Sequence, residues 1–537
     1  MASNLPGTNP LYRPTQGPNR FSGAPGASVM SGRQLPVSAL RIPNPLTSAP
    51  PAAPQVPLAP IRQFSPEGLH DRVSTRIPTA AGLPFDPHSL TGDRALSIGR
   101  HTMIPEGFWQ RHAGSEGLEA GRGRVAKGMA TAAQAIRDRY GFVNAHGLSD
   151  PAVLERFIEH GRDNLRFLWD NAMQRPWAPL AADWYRRGAN GLAHKIADSS
   201  GGRISTRQAA GALAALSPST DWNQNATMAE RLAPMHLAEA ELKVSPKMRE
   251  RIEGFVKANP ELGIWANGGT HQASGEQFPA MQPGMRLADL RHPMQRAMFA
   301  RAYDEMHNPD WRKYDIFSPS GDRIRAKTKA GDDKQMKWQS FDNIAKAMRI
   351  LQHDDLGTIS RSLGGAHKVR NFYNNIVSPD AAAYMPWEHA DFTGDTHHIN
   401  ATMLHPLGSN HPIVTQGMQT APKVAATGST GLYGLHADAG RRAAKDIAKD
   451  TRRIEYLPNQ VQSVTWEGVR NLFAKQHKKT DNAGNPLHEV GQVAHGAHYA
   501  VRHGFMSPQH AREIIMRTAG GIKDPDWWSG VASDEEE

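Results

Sequence analysis

Apolar residues recur at helical spacing over most of the chain, and this periodicity limits the fold more than any other feature. The clearest run follows Ser149-Asp150-Pro151, a typical helix start with a capping side chain, and its apolar members are Val153, Leu154, Phe157, Ile158, Leu165 and Leu168. Intervals of three and four predict an amphipathic helix through about residue 172. Alternating strand patterns are scarce, so the sequence predicts a mainly α protein.

Length and composition limit the class of protein further. The 537 residues exceed the usual size of one domain, so we expect one large or two modest domains plus tails. The absence of cysteine excludes disulfides, thiolate zinc sites and Cys-ligated iron–sulfur clusters. No apolar run is long enough for a transmembrane helix, and the N-terminus lacks a signal-peptide pattern. We therefore expect a protein that is neither membrane-spanning nor secreted.

Composition shifts suggest four segments. Residues 1–95 are predicted to be a disordered Pro/Arg-containing arm, because the first 90 residues hold 17 of the 39 prolines and no acidic residue precedes Glu67. Residues 125–480 are predicted to form a helical domain with a long insertion at about 235–335. A C-terminal helical segment at 481–530 and an acidic tail at 531–537 complete the prediction. The net charge of +10 favours an acidic partner, nucleic acid first.

The first candidate functional segment is a turn and helix start at residues 214–232. Thr220 or Asp221 can cap the helix that follows. That helix presents Trp222, Asn223 and Asn225, which are residue types that stack on bases or bond to their edges. Ordinary turn and capping chemistry accounts for the polar turn residues equally well.

The second segment is a glycine-containing turn between two predicted helices. Gly364 and Gly365 allow a close backbone approach, and the next helix offers free N–H groups to a phosphate. His367, Lys368 and Arg370 add positive charge there. We predict DNA contact by this segment, while a plain helix–helix turn is the alternative.

The third segment, Gly394 to His398, begins another predicted helix. Asp395 can cap that helix, or it can serve as a carboxylate that faces Lys368. Several metal-ligand types occur near it: Glu388, His389, Asp395, His397, His398 and His405. They lack the regular spacing of known metal motifs, so no metal site and no cofactor are predicted.

The fourth segment is a predicted helix at residues 460–470. Gln462, Thr465, Trp466 and Arg470 lie near one face of that helix. Trp466 could equally belong to the core.

In order, the first three segments resemble the helix-hairpin-helix DNA glycosylase superfamily. The motifs that carry this resemblance are Leu216-Ser217-Pro218-Ser219-Thr220, Asn343-Ile344, Gly364 to Lys368, and Gly394-Asp395-Thr396-His397. The chain also resembles uncharacterised phage-encoded proteins. The resemblance covers roughly residues 180–475. It departs from the family at Ala366, in place of the last glycine of the hairpin, and in the long insert between Lys368 and Asp395.

This resemblance implies a mainly α, glycosylase-like core with long insertions, and base excision on DNA. Lys368 would be the nucleophile that forms a Schiff base with the sugar, and Asp395 would stabilise the positive charge that develops there. The alternative is a non-enzymatic phage structural or internal virion protein that kept the fold, with structural partners contacted through the N-terminal arm. A metal-dependent nuclease is a third interpretation. The expected location is intracellular, in the host cytoplasm if the chain is phage-encoded, or in the virion.

Overall fold

The structure is a computed structural model. It describes residues 71–72, 130, 132–272, 275–317, 323–328, 330–364, 367–383, 390–418, 432–451, 456–482 and 484–529. All of them lie within one unit, Pro60–Glu537.

The described residues are mainly helical, as the periodicity predicts. In the first half of the chain the α-helices are α1 (Asp150–Ala172), α2 (Ala178–Ala182), α3 (Gly191–Ser199), α4 (Thr206–Ala215), α5 (Trp222–Leu237), α6 (Pro246–Ala258), α7 (Gly263–Asn267) and α8 (Pro293–His307). In the second half they are α9 (Phe341–Gln352), α10 (Leu356–Leu363), α11 (His367–Val377), α12 (Thr396–Met403), α13 (Pro412–Met418), α14 (Tyr433–Thr451), α15 (Pro458–Leu472), α16 (Glu489–Arg502) and α17 (Pro508–Thr518).

Shorter elements connect these helices. A π-helical segment, Trp184–Asn190, lies between α2 and α3. Single 3-10 turns cover Pro260–Leu262, Leu287–Asp289, Ala381–Ala383, Lys475–Lys478 and Asp526–Ser529. Two small antiparallel hairpins pair β1 (Gly269–Thr270) with β2 (Gln277–Phe278) and β3 (Asp315–Phe317) with β4 (Arg323–Arg325).

Local signals explain most helix starts. Ser205 forms a reciprocal capping box with Gln208 at α4, and Asp221 accepts a hydrogen bond from the Gln224 N–H at α5. The prediction of a Ser149 side-chain cap is wrong, because only the Ser149 carbonyl bonds, to the Val153 N–H, at 3.0 Å.

Two large hydrophobic cores organise the helices. The first core contains apolar side chains from α3 to α11, including those of the segment predicted as an insertion, such as Met248 and Phe299. The second contains side chains from α1 and α2 and from α12 to α17, such as Trp177 and Phe473. Helices α11 and α12 follow each other in the sequence and belong to different cores. The segment that joins them therefore lies where the two cores meet.

One part of the predicted disordered arm is docked on the helical body. Arg72 forms a buried ion pair with Asp391, and the Asp71 carboxylate accepts a hydrogen bond from Arg207 Nη1 at 2.9 Å. The Tyr373 hydroxyl donates to the Asp71 carbonyl at 2.8 Å. These contacts place Asp71 and Arg72 against the helical body. The remainder of residues 1–95 and the tail at 531–537 lie outside the described residues.

A search of the described helices for a membrane span found none that is both long and apolar enough.

Candidate active site between the two cores

Lys368, in the first turn of α11, is half-buried beside the turn that joins α4 to α5. Its Nζ atom donates to the Ser217 carbonyl oxygen at 3.4 Å. Burial lowers the pKa of the Lys368 amine, and the nearby carboxylate of Asp395 offsets only part of this lowering. The structure therefore brings together the first, second and third predicted segments. A larger fraction of the amine is neutral than for a lysine in water.

Asp395 caps α12, and both of its carboxylate oxygens are held. Oδ1 accepts the backbone N–H of His398 at 3.0 Å, and Oδ2 accepts Trp466 Nε1–H at 2.7 Å. Burial raises the pKa of this carboxyl, but His397, Lys368 and the two hydrogen bonds outweigh burial and hold the pKa below its usual value. Asp395 is therefore ionised at neutral pH in a fixed orientation.

The fourth predicted segment joins the site through Trp466 on α15. The Trp466 ring is half-buried, and the Arg470 guanidinium lies over it at 5.1 Å from the ring centroid. The His397 ring meets the same indole edge-on, with 5.3 Å between the ring centroids. Trp466 is therefore only partly buried, and its indole N–H bonds to the carboxylate that caps α12.

Three buried asparagines of α11 hold the segment that leads into Asp395. Asn374 Nδ2 donates to Asp391 Oδ1 at 3.0 Å, and Asn375 Nδ2 donates to Thr393 Oγ1 at 3.0 Å. Asn371 Nδ2 donates to the carbonyl oxygen of residue 392 at 2.9 Å. Because α11 also carries Lys368, these bonds fix the amine and the carboxylate relative to each other. Sequence reasoning gave this asparagine-rich run no role.

The Tyr433 hydroxyl is a second clamp on the same segment. It donates to the Phe392 carbonyl at 2.9 Å and accepts the Gly394 N–H at 2.9 Å. Asn371 Nδ2 lies 3.2 Å from the same oxygen. Gly440 of α14 packs directly against the Phe392 ring, where a Cβ atom would clash. Sequence reasoning missed Tyr433, since a lone tyrosine 38 residues after Asp395 carries no local signal.

Arg370 does not serve the predicted role of DNA contact. Its side chain is fully buried, and its guanidinium donates to the carbonyl oxygens of Ser360 and Gly364, both at 2.8 Å. Burial lowers the pKa of Arg370 to about 10. The last carbonyl oxygens of α10 have no hydrogen-bond donors within the helix. The Arg370 guanidinium is buried because it supplies these donors. Arg370 therefore braces the turn from inside.

The remaining turn residues are only partly described. Gly364 has a φ of +70°, a conformation that favours glycine. The α11 helix begins at His367, as the hairpin prediction requires. Gly365, Ala366 and the His367 side chain lie outside the described residues.

Trp222, Asn223 and Asn225 have different environments. The Trp222 ring is half-buried and meets the Trp184 ring edge-on, with centroids 5.0 Å apart. Asn223 is also partly exposed. Asn225 is only 2% exposed, and its amide donates to the Leu213 carbonyl at 3.0 Å. The prediction of a DNA contact by Asn225 is therefore wrong, because its side chain joins two helices in the core.

Further positive charge surrounds the pair. Burial lowers the pKa of His397 to about 3, and the positive charge of Lys478 is the next largest cause. Burial raises the pKa of the Asp221 carboxyl, next to Trp222. The positive charge of Lys334 lowers that pKa by a smaller amount. Both lysines are half-buried. They lie in connecting segments without recognisable motifs, so sequence reasoning missed them.

The histidines near Asp395 that the structure describes have separate surroundings. His398 bonds through Nε2 to the His436 carbonyl at 3.1 Å, and His405 lies past the other end of α12. Among the residues that the structure describes, no group of three or more acidic or histidine side chains is arranged to hold a metal. Glu388 and His389 are outside this description.

Comparison with known proteins gives one partial match. The model of a family of unknown function, DUF7178, matches residues 158–259. This range includes the turn at Ser217 and Trp222 and does not reach Lys368 or Asp395. No curated protein and no solved structure matches the chain.

Proposed function

We propose that Lys368 and Asp395 form the active site of a DNA base-excision enzyme that resembles a glycosylase and abasic-site lyase. The observation that carries this proposal is the pairing of a lysine of lowered pKa with a fixed carboxylate where the two cores meet. Perturbed titratable pairs of this kind are typical of functional sites.

Lys368 supplies the nucleophile. Its neutral amine attacks C1′ of the deoxyribose, and the base leaves with the electrons of its glycosidic bond. At an abasic site the same amine adds to the C1′ aldehyde, loses water and forms a Schiff base. Lowering of the pKa by burial supports this role, because only the unprotonated amine has a free electron pair.

Asp395 supplies electrostatic stabilisation. Its pKa is held below the usual value, so the carboxylate carries a negative charge near the amine. Positive charge develops on the sugar as the base departs, and a fixed anion stabilises it without reorganisation. The bonds from the His398 N–H and Trp466 hold that anion in place.

The turn at Gly364 and the start of α11 are suited to grip the DNA backbone. Free N–H groups at a helix N-terminus bind phosphate, and Lys334 and Lys478 add positive charge around the site. The net charge of +10 on the chain also attracts the negatively charged DNA backbone. Trp222 and Asn223 remain the candidates for contact with a base, since both are partly exposed.

Borohydride trapping with DNA that contains an abasic site tests the proposal. Borohydride reduces the Schiff base to a stable amine, so the wild type should form a covalent adduct. Lys368→Ala and Lys368→Arg should form none, and the arginine variant keeps the positive charge while it removes the nucleophile. Lys247→Ala serves as the matched control, because Lys247 is an exposed lysine on α6.

The outcomes separate the proposal from its main competitor. An adduct that is absent from both Lys368 variants and present in the control supports a lyase. Equal adduct yields in all four proteins contradict the role of Lys368. DNA binding without any adduct favours the non-enzymatic alternative, in which a glycosylase-like fold serves a phage structural protein.

A further inference from the structure

Three aromatic rings form an exposed row at the end of α16. Tyr499 is 56% exposed and Phe505 is 77% exposed, although large apolar side chains are usually buried. The His503 ring lies between them, with its centroid 4.2 Å from that of Tyr499 and 6.0 Å from that of Phe505. The His503 and Phe505 rings are within 21° of parallel. We call Tyr499, His503 and Phe505 the aromatic row.

The aromatic row lies beside positive charge. Arg502, the last residue of α16, is exposed between Tyr499 and His503 in the sequence. Arg139 approaches from the helical segment at residues 132–139 and lines the same cavity as Tyr499 and Arg502. Asp138 is the one acidic residue among the described residues that line it. Exposed aromatic rings can stack on flat ring systems, and the neighbouring arginines can pair with negative charge. The ligand that combines both properties is a polyanion that carries flat rings.

The cavity next to Tyr499 has a volume of about 290 Å³. Its inner wall contains the stacked rings of His405 and His498, whose centroids are 4.9 Å apart, and the Phe142 ring. Burial lowers the pKa of His405 to about 3 and also lowers that of His498, so both rings are neutral. This volume is at the lower end of the range for ligand sites. It leaves room for one ring system.

We propose that the aromatic row binds unpaired nucleotides of a single-stranded nucleic acid, with one base at the mouth of the cavity. Bases stack on exposed aromatic side chains regardless of sequence, and arginines next to them hold the phosphates. A protein partner is the weaker interpretation, because the cluster combines rings with two arginines instead of a continuous aliphatic patch. This site uses none of the residues around Lys368, so it stands independently of the proposed function.

The position of the cavity relates the two sites. Asp395 caps the N-terminal end of α12, and His405 follows the C-terminal end of that helix. Eight helical residues span about 12 Å. The inner wall of the cavity at His405 is therefore one short helix away from Asp395.

Fluorescence anisotropy with labelled oligothymidine tests this proposal on the full chain. Phe505→Ala and Tyr499→Ala should each weaken binding by roughly 5- to 150-fold, the range that loss of one stacked base gives. Leu487→Ala is the matched control, because Leu487 is 60% exposed and lies outside the aromatic row. All of these side chains are on the surface, so the variants should fold, and thermal melting verifies this.

A charge reversal supplies the second readout. Arg502→Glu should weaken binding and reduce its dependence on salt, whereas Arg517→Glu, an exposed arginine in the last turn of α17, should change neither. Unchanged affinity in the Phe505, Tyr499 and Arg502 variants would overturn the proposal. A loss of self-association instead of oligothymidine binding would also overturn it and assign the row to a protein interface.

Borohydride trapping on the same variants keeps the two proposals distinguishable. Phe505→Ala should retain the adduct on abasic duplex DNA, since the row contributes nothing to the Lys368 site. If Phe505→Ala binds oligothymidine weakly and is still trapped on abasic DNA, both proposals are supported. If Phe505→Ala binds oligothymidine weakly but even the wild type is not trapped, the aromatic row is supported and the lyase is contradicted.

Discussion

Replacement of Trp466 by phenylalanine removes one of the two hydrogen bonds that hold Asp395 and leaves an aromatic ring in place. The bond from Nε1 to Oδ2 is 2.7 Å long and joins a neutral donor to a carboxylate. Hydrogen bonds to charged groups contribute about 1.5–3 kcal/mol to stability. We therefore expect Trp466→Phe to lower the free energy of unfolding at neutral pH by about 2 kcal/mol.

The loss should depend on pH in a defined direction. The folded-state pKa of Asp395 lies below its ordinary value of 3.8, so its contribution to stability is present above that pH. That contribution disappears as the pH falls through the lowered folded-state pKa. Without the Trp466 bond the pKa should rise towards 3.8, and the difference between variant and wild type should shrink in acid.

Urea unfolding and a carbon-13 titration of the Asp395 carboxyl measure these effects. Trp527→Phe is the control, because Trp527 is half-buried against the second core and packs next to Trp528, with ring centroids 5.9 Å apart. It should lose packing without a change in the Asp395 titration. A Trp466→Phe variant with an unchanged Asp395 pKa and a stability loss below about 0.5 kcal/mol would refute the reasoning.

Three further predictions concern the fold around the site. Arg370→Ala should cost about 3 kcal/mol in urea unfolding, because it leaves two buried carbonyl oxygens unsatisfied, and a cost near zero would contradict the bracing role. Gly440→Ala should cost about 1–3 kcal/mol by overpacking, whereas Gly254→Ala, in open space on α6, should gain about 0.5–1 kcal/mol; equal melting temperatures would contradict both. Burial holds the pKa of His398 at about 4 and that of His405 at about 3, so only the unfolded chain takes up their protons just below pH 6.5. Stability should therefore fall as the pH drops from 6.5 towards 4, by up to about 1.4 kcal/mol per pH unit for each histidine, and a constant urea midpoint over this range would contradict it.

Local sequence signals were sufficient to predict the mainly helical fold and several helix starts. Capping residues and apolar periodicity act within a few residues, so α5 and α12 begin where Asp221 and Asp395 indicate. Lys368 and Asp395 were paired through the resemblance to the helix-hairpin-helix glycosylases. In the structure the charge of Asp395 acts on the Lys368 amine, and the roles assigned to the two residues stay predictions.

The contacts that fix the site could not be predicted in the same way. Trp466 and Asp395 are 71 residues apart, so their hydrogen bond depends on how α15 packs against α12. The basic sequence around Arg370 fits a side chain that contacts DNA and a side chain that is buried equally well. Only the position of the α10 carbonyl oxygens, to which its guanidinium donates, places that side chain in the interior. The same applies to Tyr433, whose hydroxyl reaches a segment 39 residues earlier.

Identification of the lysine that is modified during trapping tests the central claim most directly. Wild-type protein is trapped with borohydride on abasic-site DNA, digested with nuclease and protease, and analysed by peptide mass spectrometry. The account predicts a deoxyribose remnant on the peptide that contains Lys368 and on no other peptide. A remnant on a different lysine, or an unmodified Lys368 in the trapped protein, would contradict it.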